Sequence, residues 1–170
     1  LAPALPLLIE KLSISYGLAG LLAVIQRIPS ILNPFVGIIA ERPIMKYMVI
    51  ITPAITAISM SLIGVAPGYI FLAILLFVSG LSSTMWHVPT PVLVKTLSGK
   101  RTGKGMSYYM LGGELARTAG PLVILGVIEL WGLEGTWKMM PLGIAASIVL
   151  HFNFRRANLV TSQRTQSEGS

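Results

Sequence analysis

The sequence contains no cysteine and no aspartate, and only two histidines, His87 and His151. The lack of cysteine excludes a disulfide framework and thiolate metal sites. A zinc site needs about three protein ligands, and the histidines and glutamates offer no convincing set, nor a nucleophile with its base. We therefore expect no metal, no cofactor and no enzymatic activity.

Charged residues are also scarce. They make up 11% of the 170 residues, whereas 54% are hydrophobic and the mean hydropathy is +0.77. A soluble domain carries about 25% charged residues. So few polar side chains cannot cover a surface that faces water, so lipid must be the solvent for much of it. The sequence predicts an all-α integral membrane protein.

Five apolar stretches are long enough, or nearly so, to cross a bilayer, which takes about 20 residues of helix. They cover residues 16–40, 47–65, 69–94, 106–130 and 137–154. Residues 1–9 are too short to cross alone, and we interpret them as the tail of a first helix whose beginning is missing. Residues 1–154 thus contain five complete transmembrane helices plus that tail, and the polar residues 155–170 form a flexible tail or linker.

The basic residues predict the orientation. A net charge of +7 would suggest a nucleic-acid partner in a soluble protein, but here the cations lie between apolar stretches. One set of connections holds only Lys11 and Lys138. The opposite set holds Arg42, Lys46, Lys95, Lys100, Arg101, Lys104, Arg155, Arg156 and Arg164. The positive-inside rule makes the second set cytoplasmic, namely loops 41–46 and 95–105 and the tail 155–170, and we expect no nucleic-acid partner.

Four ionisable residues lie inside the predicted spans: Arg27, His87, Glu114 and Arg117. Charges within a bilayer are costly and usually face a bundle interior or a water-filled cavity. Each belongs to a stripe of polar or small residues spaced three or four apart, which places the stripe on one helix face. The stripes are Arg27, Ser30, Pro34, Gly37 and Glu41; Gly80, Ser83, His87 and Pro91; and Ser107, Met110, Glu114, Arg117 and Pro121. We expect these three helices to surround a common cavity.

Each ionisable residue has two interpretations. Glu114 and Arg117, one turn apart, either neutralise each other or handle substrate or protons. His87 either bonds a backbone carbonyl freed by Pro91 or carries a proton near neutral pH. Arg27 lies near the middle of its span, where snorkelling is hard. It is either paired with Glu114 or a site for an anionic substrate.

Small residues in the fifth span also have two interpretations. Gly113, Ala116 and Gly120 have the spacing of a close helix contact. Gly120-Pro121 is also a weak point at which a helix can bend during transport. Close packing and bending both remain open from the sequence.

Residues 37–46, which read GIIAERPIMK, resemble the cytoplasmic signature of the major facilitator superfamily between its second and third helices. That pattern has a glycine, an acid–arginine pair and a further basic residue, here Gly37, Glu41, Arg42 and Lys46, with glutamate in place of the usual aspartate. The resemblance implies that these residues gate the transporter through charge contacts between helix ends. The alternative, ordinary positive-inside charge with a helix cap, predicts no transport phenotype for Glu41→Ala.

Further motifs resemble the fosmidomycin-resistance branch of that superfamily. They are Trp86-His87-Val88-Pro89, the basic loop 100–105, Gly112-Gly113-Glu114 and Gly120-Pro121. Here Val88 interrupts the usual His-Pro, and Glu114 replaces the usual asparagine. The resemblance implies a twelve-helix, alternating-access transporter of two six-helix halves in a bacterial inner membrane. The first half would be this chain, completed by the missing carboxy-terminal half or a second copy.

We therefore expect proton-coupled efflux or exchange of a small molecule. Arg27 and Arg117 suggest an anionic or phosphonate-like substrate, while His87 and Glu114 are the candidates for proton coupling. An inert fragment or an assembly subunit of a membrane complex is the alternative, because six helices contain only half of the expected substrate cavity. A membrane-embedded enzyme is a further alternative, with less in the sequence to support it.

Overall fold

The structure is a computed structural model that describes residues 4–40 and 45–156. Within these ranges the chain is helical apart from short turns, which confirms the all-α prediction. The helices are α1 (Leu5–Leu12), α2 (Tyr16–Arg27), α3 (Asn33–Ala40), α4 (Met45–Ser61), α5 (Tyr69–His87), α6 (Pro89–Ser98), α7 (Thr102–Trp131) and α8 (Met140–Arg156). Three helical stretches in the described residues are long and apolar enough to cross a membrane: Tyr16–Ile39, Met45–Val65 and Tyr69–Trp131.

The first of these stretches is a broken helix. A 3-10 turn at Ile28–Leu32 joins α2 to α3. Pro29 and Pro34 lack the backbone N–H that an α-helix needs, so regular hydrogen bonding is interrupted between them. The Ser30 hydroxyl donates to the Arg27 carbonyl at 2.7 Å and so provides this backbone acceptor with a side-chain donor at the break. The second predicted span is therefore helical over its whole length but changes its winding near its middle.

The third stretch reverses direction at Gly99. It is 63 residues long, more than twice what one crossing needs. Gly99 has φ +49°, a region that favours glycine, and it begins the 3-10 turn Gly99–Arg101 between α6 and α7. Helices α6 and α7 then pack against each other. The predicted fourth and fifth spans lie on the two sides of this turn, although α6 continues past residue 94 to Ser98 and α7 starts before residue 106.

The α1 helix covers only part of the predicted helix tail at residues 1–9, because residues 1–3 lie outside the described residues, and the tail stays a prediction. The helix continues beyond Ile9 to Leu12, so Glu10 and Lys11 lie in its last turn. Ser13 then adopts a left-handed conformation (φ 49°, ψ 41°). The backbone N–H groups of Ser13 and Ile14 donate to the Glu10 and Ile9 carbonyls, both at 3.2 Å. This arrangement satisfies carbonyls that the helix end would otherwise leave unpaired.

The helices pack around α4 and α5. The α4 helix has its most extensive contacts with α8 and α5, and α5 also packs against α2. At one end of the bundle a buried apolar cluster includes Leu8, Leu22, Ile63, Leu72 and Leu76. The opposite end has a smaller cluster of Met45, Val49 and Leu93. Many large apolar side chains remain exposed along the helices, a surface that hydrocarbon solvates and water does not.

A network of hydroxyl groups surrounds Pro53, which lies inside α4. Because proline has no N–H, the Val49 carbonyl loses its helical donor, and the Thr52 hydroxyl donates to it at 3.3 Å. The Ser82 hydroxyl of α5 donates to the Thr52 carbonyl at 2.9 Å. The Ala54 N–H donates to the Ser147 hydroxyl of α8, also at 2.9 Å. Side chains of three helices thus satisfy the backbone around one proline, as membrane helices require.

Replacing Ser82 with alanine is expected to lower the free energy of unfolding by about 1 kcal/mol, the usual scale for a hydrogen bond between membrane helices. Ser82 is 1% exposed, and its hydroxyl also lies 2.8 Å from that of Thr56. The matched control is Ser83→Ala, one residue later and exposed, for which we expect little change. Equilibrium unfolding in mixed micelles measures both variants, and equal losses would contradict the network.

Candidate functional site

Arg27 lies at the break in the second span, as the last residue of α2. Its side chain is exposed, and it forms no ion pair with any residue that the structure describes. The preceding residue, Gln26, fixes the position of this break, because its side-chain amide donates to the Ser79 hydroxyl of α5 at 3.3 Å. The Gln26 carbonyl also packs directly on Gly80. These contacts hold the backbone at the end of α2 against α5.

Helices α2 and α5 run side by side in the same direction. The Tyr69 hydroxyl donates to the Leu18 carbonyl at 3.1 Å, and Gln26 contacts Ser79 further along both helices. His87 lies two turns beyond Ser79, about 12 Å along the axis. Arg27 and His87 are therefore carried by neighbouring helices at different depths.

His87 ends α5, and its side chain is exposed. No side-chain hydrogen bond to its imidazole occurs within the part of the chain that the structure describes. Pro91, four residues later, removes the helical donor to the carbonyl of His87 itself. The helix bends from α5 into α6 at Val88, and the Val88 N–H still donates to the Thr84 carbonyl at 3.2 Å. A role for His87 in proton coupling remains a prediction.

Glu114 and Arg117 form an ion pair on α7. Nη1 of Arg117 lies 3.1 Å from Oε1 of Glu114, one helical turn away. The Arg117 side chain is 78% exposed, and the Glu114 side chain is 68% exposed. Glu114 therefore pairs with Arg117 rather than with Arg27 in this structure. Mutual neutralisation describes the geometry, whereas a role in substrate or proton handling stays a prediction.

The surroundings of this pair are open. All residues from 110 to 123 are exposed, which includes the apolar side chains of Leu111, Leu115 and Leu122. A Cβ atom built on Gly113 or Gly120 would meet no other described atom within 4 Å. The α-helix runs without a break through Pro121. The close helix contact and the bend that these residues predict are therefore not made among the described residues, and both stay predictions.

The cytoplasmic signature lies only partly within the described residues. Glu41 and Arg42 fall outside them. Gly37 is half-buried in α3 and faces Val88, with room for a methyl group. Lys46 lies in the first turn of α4, with its Nζ 5.1 Å from the centre of the Tyr47 ring. The gating contacts that the resemblance implies therefore stay a prediction.

The three predicted stripes are mostly exposed. An apolar cavity of about 220 Å³ lies between α4, α7 and α8 instead, lined by residues that include Ala57, Ile124 and Leu142. None of the four ionisable residues lines it. A shared polar cavity around Arg27, His87, Glu114 and Arg117 thus needs protein beyond the described residues to enclose it.

A polar cluster at one end of the bundle was not foreseen. Nζ of Lys11 donates to the Gly64 carbonyl at 2.7 Å and to Oε1 of Glu134 at 2.8 Å. The Thr136 hydroxyl donates to the Ser61 carbonyl at 2.9 Å. These bonds join the end of α1, the end of α4 and the turn Leu133–Met139. Lys11 belongs to the less basic set of connections, and nothing in the sequence indicates its hydrogen bonds to Gly64 and Glu134.

The stability of the fold is expected to depend on the ionisation of Glu134. The hydrogen bond from Lys11, and then its positive charge, lower the pKa of this carboxyl below its ordinary value of 4.5. A group whose pKa is lower in the folded state stabilises the fold above its unfolded pKa, and this contribution is lost as the pH falls through the folded pKa. Glu134→Gln should therefore lose less thermal stability than the wild type between neutral pH and pH of about 3.

The matched control for this pH dependence is Glu129→Gln, which removes an exposed carboxylate of α7 that has no ion pair among the described residues. This control should retain the acid dependence of the wild type. Thermal unfolding in detergent over a pH series measures all three proteins. Parallel curves for Glu134→Gln and the wild type would show that the contact with Lys11 does not stabilise the fold.

The chain matches a known family of membrane proteins. A family model described as Major Facilitator Superfamily matches residues 1–169. The chain belongs to the major facilitator superfamily. Membership, together with helices apolar enough to span a bilayer, makes the chain an integral membrane protein. The fosmidomycin-resistance branch is a narrower assignment than this match supports.

A curated relative of this superfamily member is the uncharacterized MFS-type transporter YfnC of Bacillus subtilis (strain 168). The two are 23% identical over 150 residues, which are 86% of this chain and 36% of the relative. The chain thus spans little more than a third of the length of the relative that it matches. No solved structure matches the chain significantly.

Proposed function

We propose that this chain forms the amino-terminal half of a secondary transporter that moves a small molecule by alternating access. The observation that carries the proposal is the exposed ion pair of Glu114 and Arg117, on a helix long enough to span the bilayer. Exposed Arg27 adds a third charge at depth. Charges in contact with hydrocarbon are costly. They favour a water-filled passage, or further protein, against these helix faces.

We further propose five complete spans, with the tail of a first helix before them and the basic loops in the cytoplasm of a bacterium. Contacts within the bundle support this count. The cluster of Lys11, Gly64 and Glu134 joins three segments that an alternating chain places on the outer side. Phe154 packs on the cluster of Met45 and Val49 at the opposite end, next to the basic loops. The parallel course of α2 and α5 fits the same alternation.

The remaining protein would be a carboxy-terminal half or a second copy of this chain. The exposed face of α7 at residues 110–123 supports such a partner, since its glycines leave room for a closely packed helix. The length of the curated relative supports a carboxy-terminal half in the same polypeptide. An inert subunit of a larger membrane complex would need the same surface but would move no solute. Family membership favours a transporter over an enzyme.

The proposed reaction is proton-coupled efflux or exchange of an anionic molecule, as in the fosmidomycin-resistance branch that the chain resembles. Arg27 and Arg117 would bind the anion, while His87 and Glu114 would exchange protons with the two sides of the membrane. The cationic charge of an arginine side chain is permanent, whereas histidine and glutamate are residue types that can bind and release protons. This division of roles assigns substrate binding and coupling to different side chains.

Proteoliposomes that enclose a pH-sensitive dye test this function. The complete transporter, as its gene encodes it, is reconstituted, and small organic phosphates and phosphonates are added outside. A proton flux that one compound triggers, together with a rise in thermal stability with the same compound, supports the proposal. His87→Gln combined with Glu114→Gln should uncouple the flux from the pH gradient. Binding without any movement of labelled compound would favour the inert subunit.

A further inference from the structure

The turn between α6 and α7 concentrates positive charge at one end of the bundle. Lys95, Lys100, Arg101 and Lys104 lie within ten residues, and all four side chains are exposed. Between them, Leu97 is 50% exposed. This hairpin, residues 95–104, combines a cationic surface with an apolar side chain that faces outward.

Acids that could neutralise the hairpin are scarce near it in the described part of the chain. None of its cations forms an ion pair within residues 4–40 and 45–156. Segments 41–46 and 95–104 together hold six cations, and Glu41 is their single acid. The next acid along α7 is Glu114, about 15 Å beyond Lys104 on the helix axis, and it is already paired with Arg117. Most of this positive charge is therefore available to an external anion.

The turn is also tightly built, which keeps the charges together. The Thr102 hydroxyl donates to the Gly99 carbonyl at 2.7 Å. Gly105 packs so closely on Ser98 that a methyl group on residue 105 would collide with the Ser98 hydroxyl. Crowding four cations costs free energy unless counter-charges lie nearby. Because the backbone of the turn is already fixed, little further backbone entropy is lost when such counter-charges bind.

Neighbouring side chains place the hairpin at the boundary between hydrocarbon and water. Tyr108 is exposed one turn beyond Lys104, with the lysine Nζ 5.9 Å from the centre of its ring. Tyrosine is enriched at membrane interfaces. Leu97 on α6 is apolar and exposed. If the apolar side chains face acyl chains, the four cations lie level with the lipid phosphates.

We propose that the hairpin of residues 95–104 binds the phosphate groups of anionic phospholipids in the surrounding leaflet. Arg101 would supply a planar guanidinium that bonds two phosphate oxygens at once, and the three lysines would add point charges. Clusters of this size beside a membrane helix attract anionic lipids. The proposal rests on membrane placement and not on transport, so the two proposals can fail separately.

This chain has no cysteine, and any cysteine elsewhere in the complete transporter is replaced with serine, so a single reporter can be introduced. Leu97→Cys in the complete transporter carries a bimane fluorophore, and the protein is placed in nanodiscs of phosphatidylcholine and phosphatidylglycerol. Either lipid is brominated in turn, because bromine quenches a fluorophore that it touches. We expect brominated phosphatidylglycerol to quench about threefold more than brominated phosphatidylcholine at equal mole fraction. The control reporter is Val65→Cys. Val65 is 38% exposed and ends the 3-10 turn Leu62–Val65 that follows α4, and the two lipids should quench equally there.

Two variants of the reporter protein separate charge from shape. Replacing all four cations with glutamine should remove the preference for phosphatidylglycerol. A triple variant keeps the charge and should retain the preference for phosphatidylglycerol: Lys95→Arg, Lys100→Arg and Lys104→Arg combined. High salt should weaken it, because screening reduces attraction between exposed charges.

Three results would overturn the proposal. The first is equal quenching by both lipids at Leu97→Cys. The second is a preference that the glutamine variant keeps or the arginine variant loses. The third is displacement of the lipid by millimolar glycerol phosphate, which would identify the hairpin as a site for a soluble phosphate rather than for lipid.

Discussion

Gly80→Val is expected to separate α2 from α5 and to lower the free energy of unfolding by about 3 kcal/mol, at the upper end for overpacking. Gly80 is buried, and an added Cβ would overlap the carbonyl oxygen of Gln26. That obstacle is backbone, so it cannot rotate away as a side chain would. Valine would also break the hydrogen bond from Gln26 to Ser79, because the helices would have to move apart.

The matched control for this change is Gly20→Val in α2. Gly20 is exposed, and a Cβ atom there meets no described atom within 4 Å. Substitutions at such positions usually change stability by less than about 0.5 kcal/mol. Unfolding by denaturing detergent, followed by helical circular dichroism, measures both variants. A Gly80→Val protein as stable as Gly20→Val would show that α2 and α5 do not approach as closely as the structure has them.

Arg27→Ala is expected to slow transport by the complete protein strongly while leaving its stability unchanged or higher. Arg27 has no partner acid among the described residues and lies near the middle of its span. A cation at this depth costs about 2.5–3.5 kcal/mol on insertion scales, so removing it should not harm the fold. If it binds the anionic substrate, its loss should lower the transport rate more than about tenfold, which corresponds to 1.4 kcal/mol.

The test is specific because transport should fall without any loss of stability. A merely structural arginine would lose stability and transport together. Lys138→Ala, which removes an exposed cation from the turn after α7, is the control and should transport normally. Uptake of labelled substrate and thermal unfolding are measured on the same preparations. Normal transport by Arg27→Ala would remove this residue from the site.

The helices themselves could be predicted from the sequence, because apolar runs and interfacial residues mark them. The run from Tyr16 to Ala40 is helical as predicted, although the 3-10 turn at Ile28–Leu32 was not foreseen. The predicted fourth span ends at residue 94, whereas the α6 helix continues to Ser98. Lys95 suggested the end of the span, but a helix that leaves the hydrocarbon can continue into water. Polarity therefore locates the membrane boundary better than the helix end.

Contacts between distant residues could not be predicted in this way. Ala54 and Ser147 are 93 positions apart, and nothing in either local sequence shows that one bonds the other. Gly80 was placed on a polar stripe, yet it packs on the Gln26 backbone. Pro53 does indicate that hydrogen bonds from other groups are needed nearby, since a proline inside a membrane helix leaves backbone groups that need substitute partners. Which helix supplies them depends on the packing.

The candidate site was predicted only as a set of residues, of which the structure pairs two. Glu114 and Arg117 were recognisable as a pair from their spacing alone, and they lie 3.1 Å apart. Enclosure of Arg27, His87 and this pair in one cavity depends on protein beyond the described residues. A pattern on each helix shows which face is polar, but it does not show what that face meets.

Labelling of single cysteines tests most directly the claim that this chain threads the membrane with its basic loops on one side. The chain has no cysteine of its own, so Lys100→Cys and Pro67→Cys, both at exposed turn positions, each give a unique signal. With a maleimide that cannot cross membranes, Pro67→Cys should react in intact spheroplasts, and Lys100→Cys should react only after they are opened. Labelling of both residues from the same side would contradict the account.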